Sequence, residues 1–254
     1  MRIAVDLHGI QSDGSRSRGI GRYSLEIIRN IIVGFPDHEI VLVANAALLD
    51  LKQEFSSYLN YKNVTYFKWF APCPLDFASG NKKKRQIAKY LKSYAYACIN
   101  ADIILITSFF EGYSDNCLVD FDRDFIHIPI LSIFYDLIPL INHDTYLKNN
   151  PDFKRFYYSR LTQIKQLDGL LAISNSSAQE AIKYLKVSSQ KVFNISSACD
   201  EKMFNKDSDI NSSINVNKLT PFILYSGAVD PRKNVKSLID AFSQLPVELD
   251  EYKL

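Results

Sequence analysis

Short apolar runs alternate with stretches of helical period along most of this chain. The runs RIAVDL, EIVLVAN, VTYFKWF, ADIILITS, ILSIFYD, GLLAIS and KVFNIS each have the length of a strand, and most are apolar almost throughout, as parallel strands covered on both faces are. Between them, Ile20, Tyr23, Ile27, Ile31 and Phe35 recur at helical spacing, as do Ala178, Ala181, Ile182 and Leu185. The alternation predicts an α/β fold, a Rossmann-like, mainly parallel sheet with helices on both faces.

After Met203 the pattern breaks into NKDSDINSSINVNKL, which has little to bury and reads as a linker. The boundaries that follow are a first domain over 1–204, a linker over 205–220 and the start of a second α/β domain over 221–254. In that last stretch PFILYSG reads as a strand, and Val235, Leu238, Ile239, Phe242 and Leu245 form one helical stripe. One strand and one helix bury too little to stand alone, since domains below about 40 residues rarely do, so this unit is expected to be incomplete. The alternative is that the first domain adopts it as a last strand and helix.

Composition narrows the function classes. The 254 residues are 47% hydrophobic and 23% charged, with a formal net charge of +2, which argues against a general nucleic-acid binder. Cys73, Cys98, Cys117 and Cys199 are widely spaced and suggest neither a disulfide framework nor a zinc site, so a reducing cytoplasm is expected. No apolar segment reaches the length that spans a bilayer.

Four segments carry candidate chemistry, all where loops leave the carboxyl ends of strands, the edge at which open parallel sheets bind ligands. In GSRSRGIGRYS, Gly19, Ile20 and Gly21 precede a helix and offer backbone N–H groups to a phosphate, while Arg16, Arg18 and Arg22 add positive charge. A solvated loop is the plain alternative. The loop is no dinucleotide fingerprint, because Ser24 stands where a third glycine belongs. In IFYDLIPLI, Tyr135 and Asp136 end a strand; Asp136 either faces the cleft and orients a hydroxyl or caps the following turn. In AISNSSAQEA, one of Ser174–Ser177 is expected to cap a helix, with Glu180 completing a capping box with Ser177 and Ser174 a secondary ligand contact. In YSGAVDPRKN, Gly227 permits close backbone approach, and Arg232 and Lys233 stand at a helix N-terminus, where two adjacent cations are unfavourable unless an anion lies between them. His8, His127 and His143 form no spaced ligand set and are expected to be structural.

These segments, in this order, resemble the retaining glycosyltransferases of family 4, of the bacterial polysaccharide (O-antigen type) mannosyl- and hexosyltransferase kind. That resemblance implies a GT-B fold, two Rossmann-like domains with the active site between them, of which this chain would be the N-terminal half plus a truncated start of the second. It implies transfer of a hexose from a nucleotide-diphosphate sugar to a growing lipid-linked polysaccharide, with no metal and no other cofactor. Gly19–Gly21, Gly227, Arg232 and Lys233 would bind the donor diphosphate, and Asp136 would line the acceptor or sugar side. Tyr135 replaces the His and Ala228 the Arg that many members carry; a phenol is a poor general base near neutral pH. The family's E-x7-E pair lies beyond the residues present, so little activity is expected of this chain alone. The competing expectation is a non-catalytic module, derived from such an enzyme, that binds acceptor, nucleotide or a partner.

One basic cluster remains. Read as a helix, KKKRQIAKYLKSYAYACI places Ile87, Tyr90, Leu91, Tyr94, Ala95 and Cys98 on one stripe, with Lys82–Arg85, Lys89 and Lys92 elsewhere. It is either a crossover helix with that stripe packed on the sheet or, as lipid-linked acceptors would suit, a contact with the anionic inner face of the cytoplasmic membrane.

Overall fold

The computed structural model describes residues 1–198, 221–227, 230–246 and 252–253; the predicted linker at 205–220 and Ala228 lie outside the described residues. The chain forms two compact units, Met1–Glu201 and Lys202–Leu254.

The first unit is built on seven strands: β1 (Arg2–Asp6), β2 (Glu39–Asn45), β3 (Val64–Trp69), β4 (Ile103–Ile106), β5 (Ile130–Phe134), β6 (Gly169–Ala172) and β7 (Val192–Asn194). Every apolar run singled out in this part of the sequence supplies one of them. All neighbours pair in parallel, in the order β3-β2-β1-β4-β5-β6-β7. Alternate residues of the central strands face opposite layers: Ala4, Val43, Ile104 and Phe134 join one core, Val5, Leu42, Leu105 and Ile133 the other.

Helices cover both faces. On one lie α1 (His8–Gln11), through Ile10, and α2 (Gly19–Gly34), through Ile28 and Ile32. On the other lie α3 (Lys82–Ile99), α6 (Pro151–Ile164) and α7 (Asn175–Glu180), with the one-turn helices α4 (Ile138–Ile141) and α5 (His143–Tyr146) between β5 and α6. Ala178, Ala181 and Leu185 pack inward as their spacing predicted. In the second unit Phe222 makes an isolated parallel bridge to Lys253 where a strand was expected, and α8 (Val235–Phe242) has Val235, Leu238 and Phe242 half-buried.

Two helices differ from their sequence reading. The buried face of α2 is centred on Gly21, Ser24, Ile28 and Ile32; the predicted stripe flanks it half-buried, and Phe35 is exposed. Ile28 and Ile32 fill the sheet-facing layer, while Gly21 and Ser24 make room at the start of the helix for the Arg16 backbone and a hydrogen bond to the Thr107 carbonyl. In α3 the reading is inverted. Ala88, Lys92, Ser93, Tyr96 and Ile99 are buried, whereas Ile87, Tyr90, Leu91, Tyr94 and Cys98 are exposed. Arg85 also turns inward, donating to the Leu75 carbonyl and lying 3.8 Å from Asp120.

Candidate active site

The strand order reverses direction between β1 and β4, and the loops leaving those strands part there, the place where such sheets form their ligand crevice. The loop after β1 is tied down at that point. Ser15 Oγ and Ser108 Oγ both donate to Glu111 Oε1, at 2.6 and 2.7 Å, and Ser12 Oγ donates to Asp115 at 2.5 Å. The Ser15 carbonyl accepts from the N–H groups of Arg18 and Gly21, at 2.9 and 3.0 Å. Gly21 is therefore glycine because the loop folds back on it: a Cβ there would strike the Arg16 backbone. Its N–H is spent inside the loop, so of the Gly19–Gly21 turn expected to receive a phosphate, exposed Gly19 and half-buried Ile20 are left to face one. Arg16, Arg18 and Arg22 are exposed around that turn, Arg16 with Asp13 at 3.1 Å.

Beneath the loop lies a buried charge cluster that sequence reasoning missed. Asp6, at the end of β1, receives His8 Nδ1 and the His8 N–H on Oδ1, and Lys92 Nζ (2.7 Å) and the Tyr96 hydroxyl (2.8 Å) on Oδ2. Burial pushes the Asp6 carboxyl up, but His8 and Lys92 together outweigh it and hold it well below the usual carboxylate range. Lys92 Nζ also donates to the Leu118 carbonyl at 2.6 Å and sits 4.1 Å from the Phe121 ring centroid. His8 is thus structural, as expected. Arg160, equally buried, pairs with Asp120 and donates to the Glu111 carbonyl at 3.1 Å; burial, then Arg85, pulls its guanidinium down to about 9. No signal in the local pattern marks Lys92 for burial, because a lysine on an amphipathic helix reads as solvent-facing.

Tyr135 and Asp136 lie at the same carboxyl edge as the β1 loop. The Tyr135 hydroxyl lies 2.9 Å from Ser24 Oγ and donates toward the carbonyls of Thr107 (3.2 Å) and Ile20 (3.3 Å). Burial pushes that hydroxyl above the usual tyrosine range, and Tyr23 and Glu111 add to the shift, so the phenol stays protonated at neutral pH and pins the first turn of α2. Asp136 Oδ1 accepts from the Ile138 N–H at 3.0 Å, the capping role left open by the sequence. Ser174 caps α7 by accepting from the Ser177 N–H at 3.0 Å. The capping box with Ser177 does not form. Ser177 Oγ donates instead to the Tyr135 carbonyl at 2.5 Å, and Glu180 Oε2 accepts from the Leu137 N–H at 2.9 Å. Together α7 and Asp136 strap the turn that follows β5.

Aspartates at alternate positions, Asp120, Asp122 and Asp124, have the spacing of a metal-holding pair, but Asp120 is taken by Arg160 and Arg85, and Asp122 lies 3.6 Å from Lys89. In the second unit Gly227 has φ 153°, and a Cβ there would lie 3.0 Å from the Tyr225 hydroxyl. Arg232 is forked by Asp230, Nε to Oδ1 and Nη2 to Oδ2 both at 3.0 Å. The argument from two uncompensated cations therefore weakens for Arg232, while Lys233 stands exposed beside it.

No family model matches the chain. Curated relatives do: a serotype-specific mannosyltransferase WbdA of Escherichia coli is 34% identical over 260 residues, 99% of this chain and 31% of the relative, and another of the same description is 32% identical over 88% of the chain and 28% of its own length. Over almost its whole length the chain is similar to a part of these mannosyltransferases. It spans about a third of the length of the curated relatives it matches. Among solved structures, Anabaena HepE in complex with UDP and glucose is similar with a TM-score of 0.54 at 11% identity, over 99% of this chain and 59% of that one. The apo lipopolysaccharide outer core galactosyltransferase WaaB is similar with a TM-score of 0.51 at 16% identity, over 97% and 58%. The fold is the Rossmann-like α/β architecture of GT-B glycosyltransferases.

Proposed function

We propose that this protein serves hexosyl transfer in polysaccharide synthesis, moving mannose from a nucleotide-diphosphate sugar to a growing lipid-linked glycan with retention of configuration. The observation that carries the reading is similarity along almost the whole chain to mannosyltransferases, on a fold whose carboxyl edge gathers the Ser/Gly/Arg loop and the strapped Tyr135–Asp136 turn. In the first unit the exposed arginines and Gly19–Ile20 offer contacts to a donor diphosphate, and in the second unit Gly227, Arg232 and Lys233 do so by themselves; charge stabilisation of the leaving group replaces a protein base, without a resident metal. Asp136 and Ser174 keep oxygen atoms for sugar hydroxyls on the acceptor side. The second reading, a non-catalytic module, is favoured by one observation: Tyr135 is built into the packing rather than presented to a substrate.

The test supplies labelled nucleotide-diphosphate mannose and a synthetic lipid-linked mannoside to a protein that carries this chain with a complete donor domain. An α-linked product is expected. Nucleotide or acceptor binding without product would establish the binding module instead.

The reading extends to cytoplasmic placement with peripheral contact on the anionic inner membrane face through the 82–85 region. Among the described residues no helix is long and apolar enough to cross a membrane. What supports surface contact is that Lys82, Lys83 and Lys84 are exposed at the end of α3, whose apolar stripe of Ile87, Tyr90, Leu91 and Tyr94 also faces outward, the arrangement of a helix that lies in an interface. Arg85, turned inward, takes no part. Each lysine near such a surface contributes about 1 kcal/mol. Sedimentation with phosphatidylserine vesicles at low salt is expected to carry the protein down, and changing the three lysines to Ser to release it. Equal sedimentation of the two proteins, or none, returns the helix to a purely structural role.

A further inference from the structure

A groove of about 490 Å³ lies along the outward side of α2. Tyr23, Glu26, Ile27, Asn30 and Val33 line one wall at helical spacing, and Tyr58 with the chain at Ile195–Ser196 lines the rest. From Tyr23 to Val33 that wall runs for about 15 Å. Its Tyr23 end abuts the candidate site: the Tyr23 ring meets Tyr135 edge-on at 6.0 Å, and the Tyr23 hydroxyl donates to the Ser196 carbonyl at 2.7 Å.

The lining sets the ligand's chemistry. Tyr23 and Tyr58 offer aromatic surface to the C–H faces of a sugar ring, and Glu26, Asn30 and the carbonyl at Ser196 offer hydrogen-bonding groups to hydroxyls. Arg29, the one guanidinium among the described lining residues, is already neutralised by Glu26 at 2.8 Å and by Glu54. Among the described residues no uncompensated cation lines the groove to select a phosphate or an anionic lipid. The volume falls within the range of small-molecule sites and suits a short oligosaccharide.

We propose that this groove binds the neutral glycan chain behind the sugar that accepts transfer, as an extended acceptor subsite leading away from Tyr135. The proposal rests on the transferase reading for its biological role, and its test is separable from it. Calorimetric titration of the 254-residue protein with α-linked manno-oligosaccharides, from mannose to the pentasaccharide, is expected to show affinity rising with chain length. Asn30→Trp, at an exposed position that leaves the core untouched, fills the groove and is expected to abolish that gain without lowering Tm. Tyr58→Ala is expected to weaken the longer ligands about tenfold. Affinity independent of length, a gain that survives Asn30→Trp, or tighter binding of a sulfated oligosaccharide would overturn the proposal. Length-dependent binding in a protein that transfers no sugar leaves the groove assignment standing and removes the transferase reading; transfer without length dependence does the opposite.

Discussion

Lys92→Ala is expected to destabilise the first unit by about 3–5 kcal/mol, the cost of leaving one partner of a buried ion pair uncompensated. Lys92 and Asp6 are both fully buried, so water cannot take the lost partner's place. The variant also removes the donor to the Leu118 carbonyl and the cation over Phe121. For a unit of this size the loss corresponds to a fall in Tm of roughly 6–20 °C. Lys84→Ala, on the exposed side of the same helix, is expected to stay within about 0.5 kcal/mol of wild type. Calorimetry of the two variants side by side decides: equal melting temperatures would remove the ion pair from the stability of the fold. The double change Asp6→Asn with Lys92→Met should recover much of the loss, because it removes both charges together. The same cluster sets an acid limit. The Asp6 carboxyl is held below its unfolded value, so its contribution is fully present above the unfolded pKa of about 3.9 and is lost as pH falls toward the folded value. Lys92→Ala should unfold at a higher pH than wild type on acid titration.

In an enzyme with a complete donor domain, Lys233→Ala and Arg232→Ala are each expected to slow mannose transfer about a hundredfold, since losing a cation from a developing diphosphate costs on the order of 3 kcal/mol. The argument is electrostatic. Both residues lie immediately before α8, where the helix dipole already favours an anion and disfavours the cations themselves. Asp230 holds the Arg232 guanidinium in a fixed fork, which orders it without a bound ligand and offsets part of its charge. The larger of the two losses is therefore expected at Lys233. Initial rates with saturating acceptor and varied donor make the measurement, and a variant within about threefold of wild type loses its place in the diphosphate site.

The architecture of the first unit was written along the chain. Seven apolar runs, each too short for a helix of its own, became seven parallel strands, because a backbone with both faces covered must be apolar on both and must pair its polar groups with neighbours. The stripe of Ala178, Ala181 and Leu185 went inward, and a serine at 174–177 capped the helix, since local spacing and local hydrogen bonding decide both. The loop was also legible as a site candidate, through its glycines, serines and arginines at a strand's carboxyl end.

Tertiary contacts decided the rest. Local pattern assigns a lysine to solvent, and only the strand that delivers Asp6 beside Lys92 makes a buried ammonium tolerable. With the face of Ala88, Lys92, Tyr96 and Ile99 thus drawn inward, Ile87, Tyr90, Leu91 and Tyr94 were left outside. In α2, Gly21 against the Arg16 backbone and Ser24 beside Thr107 set the buried face together with Ile28 and Ile32, and Ile20, Tyr23, Ile27 and Ile31 were left on the flanks. Glu180 went to the Leu137 N–H rather than to a capping box because the turn after β5 lies within its reach. The sequence by itself determined the seven strands of the first unit and the helices α2, α3 and α7, since period and apolarity act residue by residue. The order of the strands, the faces that α2 and α3 bury and the partners of the buried charges came only from the folded chain, because those energies belong to pairs of residues far apart in sequence.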